Sequence, residues 1–275
     1  MNYHINHKKI GFIGVGNMAT AIIKGITSVG KYHWENIVLY DVMASKTDEF
    51  SSCGATAVGS VKELYDASDC IVLAVKPQNF KDVLAELSCA GDRRDILFIS
   101  IAAGITTDSV SSALGGARVI RALPNTPMLI GKGVTAICSN SFATEDDVRF
   151  ATSIFETAGE VINISESQMN PIISVTSSSP AYVFKFIKAI CEGAKAQELD
   201  SCEILPAVCN MVIGAASMLA QSDKTPDELV SMVCSKGGTT ERAVAVLDQF
   251  DFEEAIVSAM EKCTERANEL SSFKK

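Results

Sequence analysis

A glycine-rich turn between an apolar run and a helical pattern constrains this chain more than any other feature. It occupies Lys8 to Ala19 and reads KKIGFIGVGNMA, with Gly14, Gly16 and Ala19 in a G-x-G-x-x-A spacing. In a dinucleotide-binding βαβ unit, the first glycine permits the tight turn and the second lets the backbone approach the pyrophosphate. The small third residue lets the helix pack on the strand, and the helix N-terminus attracts phosphate charge. The spacing alone also fits a glycine-rich turn without a ligand, so the rest of the chain decides between the two.

Apolar runs rich in β-forming residues alternate with helical patterns through the first half of the chain. Strands that alternate with helices predict a parallel, doubly wound sheet. The predicted strands are Lys9–Ile13, Ile37–Tyr40, Cys70–Val75, Ile96–Ile101, Val119–Leu123, Gly133–Cys138 and Val161–Ile164. The predicted helices are Met18–Val29, Val61–Tyr65, Phe80–Leu87 and one that Thr144 caps.

The pattern becomes helical near Ser165 and contains no convincing strand from there to the end. The last helix is predicted over Phe252–Ser271, because apolar residues recur on one face and charged residues on the other. We therefore predict an α/β fold, a Rossmann-like doubly wound sheet followed by an all-helical C-terminal dimerisation and substrate domain. The predicted domains are residues 1–165 and 166–275.

Composition limits the class of protein and of partner. The 275 residues are 47% hydrophobic and 21% charged, which is ordinary for a globular protein with room for two domains. The formal net charge of −9 argues against nucleic acid or an anionic membrane as the main partner. Nine cysteines without a C-x-x-C pair favour free thiols in a reducing cytosol over a disulfide framework or a zinc site. We therefore expect a cytoplasmic protein without a metal.

Neither the N-terminus nor the longest apolar stretch is typical of a membrane segment. The N-terminal MNYHINHKK lacks the apolar core of a secretory signal. The stretch Ile204–Ala220 is nearly all apolar, but Pro206 and Asn210 interrupt it and it is short for a transmembrane span. We expect this stretch to form a helix buried against another subunit.

Asp41 stands at the end of the second predicted strand. An acidic side chain at that place hydrogen-bonds the adenosine ribose hydroxyls, and its charge repels a 2′-phosphate, which favours NAD. Asp41 equally fits a cap of the following helix. The sequence leaves both interpretations open.

Two loops follow predicted strands at the edge where an open α/β sheet binds its ligands. Ala74-Val75-Lys76-Pro77 ends one strand, and Ile101-Ala102-Ala103-Gly104 ends the next along the chain. We expect both loops to face the cofactor, and the small residues of the second would let a flat ring approach the backbone. Lys76 fits either a phosphate contact or a solvated side chain.

Two hydroxyl-rich segments precede helices in the second half. Thr176–Pro180 contains three serines, and Ser235–Thr240 reads SKGGTT. Helix N-termini with free amides and hydroxyl donors bind a carboxylate without arginine. The three histidines are His4, His7 and His33, so the helical half has none to serve as a general acid. A protonated imine needs no such acid, because its nitrogen already carries the charge that hydride transfer neutralises, so these features suit an imino acid better than a keto acid.

Over essentially its whole length, the chain resembles the pyrroline-5-carboxylate reductases, the last enzymes of proline biosynthesis. The motifs that carry the resemblance are IGFIGVGNMA at 10–19, AVKP at 74–77, SIAAGIT at 100–106, RALPNTP at 121–127, SSSPAYVFKFI at 177–187 and MVCSKGGTTERAV at 232–244. The last two are specific to that family, and the first is shared with many dehydrogenases. The resemblance implies reduction of 1-pyrroline-5-carboxylate to L-proline with NAD(P)H, by homodimers that are often assembled into decamers.

The resemblance also implies which residues form the site. The cofactor pyrophosphate would be held by Ile13, Gly14, Val15, Gly16, Asn17 and Met18. The adenosine and nicotinamide sides would be lined by Ala74, Val75, Lys76 and Pro77 with Ile101, Ala102 and Ala103. The substrate would be contacted by Glu166, Ser178, Ser179, Gly237, Gly238, Thr239 and Thr240. Thr240 would be the catalytic contact, with its hydroxyl nearest the imine.

Three residues depart from the family's pattern. Ser177 stands where glycine is usual, and Lys236 stands where proline is usual. Asp41 stands where members that prefer NADPH carry a neutral or basic residue. The cofactor is therefore NADPH or NADH, and the sequence leaves the choice between them open.

Two other functions fit part of the pattern. A β-hydroxyacid dehydrogenase has the same two-domain plan, but it places a catalytic lysine with a nearby asparagine on the first long helix. Lys185 and Lys188 have no asparagine within a turn, which weighs against that class. A dinucleotide-binding regulator without turnover would bind the cofactor tightly and reduce no imino acid.

Overall fold

The computed structural model describes residues 8–91 and 94–272, and one eight-stranded sheet organises the first part of these. The strands are β1 Ile10–Ile13, β2 Ile37–Tyr40, β3 Thr56–Ala57, β4 Cys70–Leu73, β5 Leu97–Ser100, β6 Arg118–Leu123, β7 Gly133–Ser139 and β8 Gly159–Asn163. They lie in the order β3-β2-β1-β4-β5-β6-β7-β8, and every neighbouring pair is parallel except β6 with β7. The chain reverses its direction of winding at β1, which lies between β2 and β4. Such a switch point leaves a crevice beyond the carboxyl ends of the strands.

Helices cover both faces of the sheet, which explains why strands β1, β4 and β5 are buried along their whole length. The helices of this part are α1 Asn17–Ser28, α2 Asp48–Ser52, α3 Val61–Ala67, α4 Phe80–Ala90, α5 Thr107–Ala113 and α6 Glu145–Phe155. On one face, Ile22 of α1 and Phe150 of α6 belong to an apolar cluster with strand residues such as Phe12. On the other face, Leu64 of α3 and Leu87 of α4 belong to a second cluster. The predicted doubly wound α/β fold is confirmed.

Each predicted strand coincides with an observed strand to within a few residues at its ends. Strand β3 was not predicted, because its two residues, Thr56 and Ala57, are exposed at the sheet edge and give no apolar pattern. The predicted cap of α6 is confirmed, since the Thr144 hydroxyl accepts a hydrogen bond from the Asp147 amide at 3.2 Å. The helix cap predicted from the sequence is therefore formed in the folded chain.

Across described residues 166–272, the chain forms helices joined by turns and loops and contains no strand. The helices are α7 Ser179–Ala196, α8 Ile204–Ala220, α9 Pro226–Val233, α10 Thr239–Gln249 and α11 Phe252–Ser272, and a single π-helical turn Ile173–Ser177 precedes them. The described chain divides into two compact units, one formed by the residues up to Ser178 with those from Cys263 onwards, the other by Ser179–Lys262. The predicted domain boundary at residue 165 stays a prediction, and the first unit extends beyond it. Met169 is buried with Leu123 and Cys138 in a cluster at the sheet.

Helix α8 exposes most of its apolar side chains in the single chain. Val208 is its buried residue, whereas Met211, Ile213 and Met218 are exposed. A large exposed apolar surface of this kind is typical of an interface with another protein. Within residues 8–91 and 94–272, no helix is both long and apolar enough to cross a membrane.

Candidate functional site

The glycine-rich turn is held tightly between two neighbouring strands. Gly14 has φ +92°, and a Cβ built on it would lie 3.0 Å from both the carbonyl carbon and the carbonyl oxygen of Ala74. The Gly14 amide also donates to the Tyr40 carbonyl at 2.8 Å. A side chain at this position would therefore both strain the backbone and push β1 away from β4.

The start of helix α1 is an open anion-binding position. Gly16 is the N-cap of the helix, and a Cβ built on it would meet no described atom within 4 Å. None of the described side chains caps this helix, and its first turn contains no acidic residue. The free amides and the positive end of the helix dipole therefore face open space, which fits the pyrophosphate of a dinucleotide.

A cavity of about 510 Å³ extends from this turn beyond the carboxyl ends of β1, β2 and β4. Its lining includes seven of the residues predicted for the cofactor, namely Ile13, Gly14, Gly16, Asp41, Ala74, Val75 and Lys76. Other predicted residues face elsewhere: Val15 is buried in the core and Met18 packs against the same cluster. The cavity thus lies where the switch-point rule places the adenosine half of a dinucleotide.

The remaining predicted cofactor residues lie at the beginnings of helical elements or after strand β5. Asn17 is the first residue of α1, and Pro77 is the first residue of the 3₁₀ turn Pro77–Asn79. Ile101–Ala103 follow β5 directly, and Ala102 is buried. We call residues 101–107 the β5–α5 loop, since it leads from β5 into the first turn of α5.

Asp41 binds the backbone of the glycine-rich turn. Its Oδ2 accepts a hydrogen bond from the Val15 amide at 2.8 Å, and its Oδ1 accepts one from the Met43 amide at 2.9 Å. Burial opposes ionisation of the carboxyl, but these two amides and the Lys46 ammonium outweigh it and lower the pKa of Asp41. The carboxylate therefore ties the end of β2 to the turn after β1, a role that the sequence did not indicate.

Lys46 brings a positive charge to the same cavity. Its Nζ lies 3.3 Å from Asp41 Oδ2, and it lines the cavity together with Lys76. The Lys46 side chain is 41% exposed, whereas that of Asp41 is 6% exposed. The solvent-facing charge beside the end of β2 is therefore the ammonium, with the carboxylate behind it.

A buried arginine lies at the centre of a second polar group in the first unit. Arg121 of β6 has a side chain that is 1% exposed. Its Nη1 donates to Glu166 Oε1 at 2.5 Å, and its Nη2 donates to Asn170 Oδ1 at 3.0 Å. The Asn170 amide nitrogen donates in turn to Asn268 Oδ1 at 2.9 Å and to Ser271 Oγ at 3.1 Å. These contacts join strand β6 to the last turns of α11.

Glu166 connects the same group to the β5–α5 loop. Its Oε2 accepts hydrogen bonds from the Thr107 hydroxyl at 2.7 Å and the Thr107 amide at 3.2 Å. Burial opposes ionisation of Glu166, but the bonds from Thr107 and Arg121 outweigh it and lower the pKa of the carboxyl. Burial also raises the pKa of Cys138 to about 12, so its thiol stays protonated 3.5 Å from Glu166 Oε2. We call Thr107, Arg121, Glu166, Asn170 and Ser271 the Arg121 cluster.

The serine-rich segment begins helix α7. The Ser178 hydroxyl lies 3.2 Å from Cys263 Sγ, and Ser179 is the first residue of the helix. The Asn125 side chain donates to the Thr176 carbonyl at 2.9 Å, which holds the preceding π-helical turn. Ser177 Oγ is buried without a hydrogen-bond partner among the described residues.

The glycine- and threonine-rich segment forms a tight turn in the second unit. Gly237 has φ +72°, and a Cβ on Gly238 would lie 2.8 Å from the Ser235 carbonyl oxygen. Gly238 is the N-cap of α10, whose first two residues are Thr239 and Thr240. No described side chain caps this helix, so its first amides and the two hydroxyls together form a surface suited to a carboxylate.

The similarity of the whole chain to known proteins decides its family. The chain is 39% identical over 269 residues to the pyrroline-5-carboxylate reductase of Escherichia coli (strain K12), which covers 96% of this chain and 98% of that protein. The chain belongs to the pyrroline-5-carboxylate reductase family. The resemblance stated from the sequence motifs is therefore confirmed.

Family models and solved structures agree with the assignment to the pyrroline-5-carboxylate reductases. The model described as "Pyrroline-5-carboxylate reductase dimerisation" matches residues 166–270, and "NADP oxidoreductase coenzyme F420-dependent" matches residues 9–104. A pyrroline-5-carboxylate reductase from Coxiella burnetii superposes with a TM-score of 0.89 at 34% identity, covering 97% of this chain and 99% of that chain. A pyrroline carboxylate reductase from Plasmodium falciparum, solved with NADP bound, also gives a TM-score of 0.89, with 26% identity and the same coverage.

Several predictions about the site of this pyrroline-5-carboxylate reductase family member concern individual residues. Seven of the fourteen predicted cofactor residues meet around one cavity, whereas the substrate residues are divided between the two units. The roles of both sets stay a prediction. His4 and His7 lie outside the described residues, and His33 precedes a short 3₁₀ turn, Trp34–Asn36. Among the described residues, no group of three or more His, Cys, Asp or Glu side chains could hold a metal ion.

Sequence reasoning missed three residues of the site. Lys46 lies five positions beyond Asp41 in a polar stretch without a motif, and Asn170 has no pattern that distinguishes it. Arg121 could have been found, because a charged residue inside the apolar run of a predicted buried strand requires a partner. The partner itself, Glu166, lies 45 residues away and is identified only by the fold.

Proposed function

We propose that this chain reduces 1-pyrroline-5-carboxylate to L-proline, the last step of proline biosynthesis, with NADPH as the preferred reductant. The observation that carries the proposal is the similarity, over nearly the full length, to proteins named pyrroline-5-carboxylate reductase. The open N-terminus of α1 beside the cavity supports the dinucleotide, and the uncapped N-terminus of α10 supports an anionic substrate.

The chemistry needs positioning more than it needs an acid. NADPH, when bound, supplies the hydride that the imine carbon accepts. If the ring nitrogen is already protonated, it takes the electron pair of the C=N bond and becomes the secondary amine, so no further proton is required. We therefore assign the chain's residues the tasks of holding the carboxylate and orienting the ring, which is catalysis by proximity.

The substrate carboxylate is assigned to the segment Gly237–Thr240. The amides of the first turn of α10 and the hydroxyls of Thr239 and Thr240 are its donors. Glu241 keeps this turn in shape, since its carboxylate accepts a hydrogen bond from the Gly237 amide at 2.6 Å. Thr240 is assigned as the hydroxyl nearest the imine nitrogen.

Proline formation by the purified protein tests the reaction, with Thr240→Ala as the decisive variant. We expect Thr240→Ala to lower kcat at least about tenfold, because the ring loses the hydroxyl that orients its nitrogen for hydride transfer. Thr240→Ser keeps the hydroxyl and is the matched control, with activity near that of the wild type. Proline is measured by mass spectrometry, and dinucleotide affinity is measured separately by calorimetry.

Three results would contradict parts of this proposal. Absence of proline with both NADPH and NADH would remove the reaction, and turnover of a hydroxyacid in its place would favour the β-hydroxyacid dehydrogenase class. Tight cofactor binding without any turnover would favour a regulator. Wild-type kcat in Thr240→Ala would remove only the role of that hydroxyl.

The preference for NADPH rests on the charges at the end of β2. Asp41 Oδ2 accepts hydrogen bonds from the Val15 amide and the Lys46 ammonium, Oδ1 accepts one from the Met43 amide, and the side chain is only 6% exposed, so little of the carboxylate is left to bind the ribose hydroxyls. Lys46 neutralises this carboxylate and presents its ammonium to the cavity. A basic side chain at the end of the second strand accommodates a 2′-phosphate. We therefore assign Lys46 as the contact of that phosphate.

Replacing Lys46 tests this cofactor preference. We expect Lys46→Met to lower kcat/KM for NADPH about tenfold, since hydrogen bonds to charged groups contribute about 1.5–3 kcal/mol. The value for NADH should stay unchanged. Lys24→Met is the matched control, because Lys24 pairs with Glu49 at 2.8 Å on the surface and does not line the cavity. An equal loss with both cofactors would contradict the assignment.

The working unit is proposed to be a cytoplasmic homodimer, with the decamer of the family as the larger assembly. The dimerisation domain at residues 166–270 and the exposed apolar side chains of α8 support self-association. The net charge of −9 gives no support to nucleic acid or membrane partners. Light scattering at several protein concentrations measures the assembly directly.

A further inference from the structure

The Arg121 cluster reaches from the β5–α5 loop to the last turns of α11. Thr107, the last residue of the loop, is bound by Glu166 through both its amide and its hydroxyl. Glu166 is bound by Arg121, and Arg121 is bound by Asn170. Asn170 then donates to Ser271 Oγ at 3.1 Å. One continuous series of hydrogen bonds therefore joins this loop to the end of the chain's last helix.

The same helix end also lies against the middle of the loop. Gly104 has φ +73°, and a Cβ built on it would lie 3.5 Å from the Leu270 carbonyl carbon and 3.5 Å from the Ser271 amide nitrogen. The loop backbone and the helix backbone are thus neighbours, with room for one methyl group between them at Gly104. The β5–α5 loop is fixed at Thr107 by hydrogen bonds and has the end of α11 beside it at Gly104.

We propose that Asn170 and Ser271 are positioning residues for the nicotinamide side of the site, acting on the β5–α5 loop through the Arg121 cluster. This inference rests on the proposed function and on the sequence-based expectation that Ile101–Ala103, whose small residues let a flat ring approach the backbone, line the nicotinamide side of the cofactor. Neither side chain is assigned a contact with the reacting atoms. They set where the loop backbone lies, and hydride transfer responds steeply to small displacements of that kind.

The contacts of the cluster separate this role from a general loss of structure. The adenosine side is built by Gly14, Asp41 and Lys46, and none of their hydrogen bonds described above involves the Arg121 cluster. A loosened β5–α5 loop should therefore weaken the nicotinamide half alone. The helix end around Ser271 should keep its fold, since among the described residues that hydroxyl bonds the Ala267 carbonyl of its own helix at 2.9 Å and the Asn170 side-chain amide at 3.1 Å.

Ser271→Ala and Asn170→Ala test the proposal in the full-length protein. Ser271→Thr keeps a hydroxyl and is the rescue variant. Ser51→Ala is the matched control. Like Ser271, Ser51 donates its hydroxyl to the carbonyl four residues earlier, in this case that of Thr47 at 3.0 Å, and it lies far from the Arg121 cluster in sequence. Calorimetry measures the Kd of NADP⁺ and of 2′-phospho-ADP-ribose, which lacks the nicotinamide. Hydrogen exchange reports on residues 101–107, and proline formation gives kcat and KM.

We expect Asn170→Ala to lower kcat about tenfold and Ser271→Ala to lower it about threefold, by analogy with the loss from a misplaced reacting group. The Kd of NADP⁺ should rise, exchange in residues 101–107 should speed up, and the Kd of 2′-phospho-ADP-ribose should stay constant. Ser271→Thr and Ser51→Ala should match the wild type. Unchanged kcat in both alanine variants, or equal weakening of both nucleotides, would overturn the proposal.

Failure of the proposed reaction has a different signature. A wild-type protein that forms no proline would remove the function, yet the two Kd values and the exchange rates would still show whether the cluster positions the loop. Conversely, an active wild type with exchange in residues 101–107 unaffected by Asn170→Ala would remove the positioning role alone.

Discussion

Replacing Glu166 by glutamine should destabilise the fold more than any surface carboxylate does. The amide of glutamine has one acceptor and one donor end, so in either orientation one donor faces another donor. If the nitrogen faces Arg121, two N–H groups meet across a gap of 2.5 Å. If the nitrogen faces Thr107, the Thr107 amide loses its acceptor. In both cases the positive charge of Arg121 loses its counter-charge.

The burial of the two partners sets the magnitude. Arg121 is 1% exposed and Glu166 is 33% exposed. Breaking a buried pair by removing one partner costs about 3–5 kcal/mol, and the partial exposure of Glu166 favours the lower end. We expect Glu166→Gln to lower the free energy of unfolding at neutral pH by about 3 kcal/mol. With a urea m-value of about 3 kcal/mol/M, the unfolding midpoint should fall by about 1 M.

The dependence on pH has a definite sign. The folded-state pKa of Glu166 lies below its ordinary value of 4.5, so the carboxylate binds its proton less tightly in the folded chain than in the unfolded chain. Its stabilisation is therefore fully present above that ordinary value and is lost as the pH falls through the folded pKa. The stability difference between wild type and Glu166→Gln should shrink in the same window.

Urea unfolding at one fixed protein concentration, followed by circular dichroism from neutral pH into the acid range, is the assay. Asp66→Asn is the matched control, since Asp66 pairs with Lys62 at 2.5 Å and both side chains are 55% exposed. An exposed pair of this spacing contributes about 0.5 kcal/mol or less. A cost for Glu166→Gln no larger than that of Asp66→Asn, or one independent of pH, would refute the reasoning.

Two further substitutions test the contacts of Asp41 and the pairing of β7 with β8. Asp41→Ser removes the acceptors of the Val15 and Met43 amides, so the free energy of unfolding of the cofactor-free protein in urea should fall by about 1–3 kcal/mol. Unchanged stability would contradict the tie between β2 and the glycine-rich turn. Gly159→Ala should lower the free energy of unfolding by about 3 kcal/mol in urea, because its Cβ would overlap the Gly133 carbonyl oxygen where β8 pairs with β7. Gly30→Ala is the control, because Gly30 has φ +66° and no described atom lies within 4 Å of the added Cβ. It should lower the free energy of unfolding by only about 1 kcal/mol through backbone strain. Equal losses for Gly159→Ala and Gly30→Ala would contradict the overlap with Gly133.

The elements that sequence predicts well are those with a local cause. A buried parallel strand is an uninterrupted apolar run, and a helix start carries its own cap, so β1 and α6 are visible in a few residues. Strand β3 has no such signal, because its residues are exposed and pairing with β2 alone makes it a strand. Sequence patterns therefore identify elements that bury their own side chains.

The residues of the candidate site show the same distinction between local and long-range causes. The positions around Gly14 were predictable because a tight turn with close backbone approach requires glycine at fixed spacing. The role of Asp41 was not predictable, since its bond to the Val15 amide joins residues 26 positions apart. The ribose interpretation assumed an available carboxylate, whereas in the folded chain Asp41 accepts hydrogen bonds from the Val15 and Met43 amides.

The sequence by itself determined the doubly wound sheet, the helical second half and the family, because each depends on short-range patterns or motifs. Only the tertiary structure decided which charged side chains face the cavity and which are paired with other groups of the protein. Lys46 is directed to solvent and Asp41 to the backbone, while Arg121 and Glu166 neutralise each other beside the β5–α5 loop. The physical reason is that a side chain's charge acts through its neighbours in space, and those neighbours are set by the pairing of strands far apart in the chain.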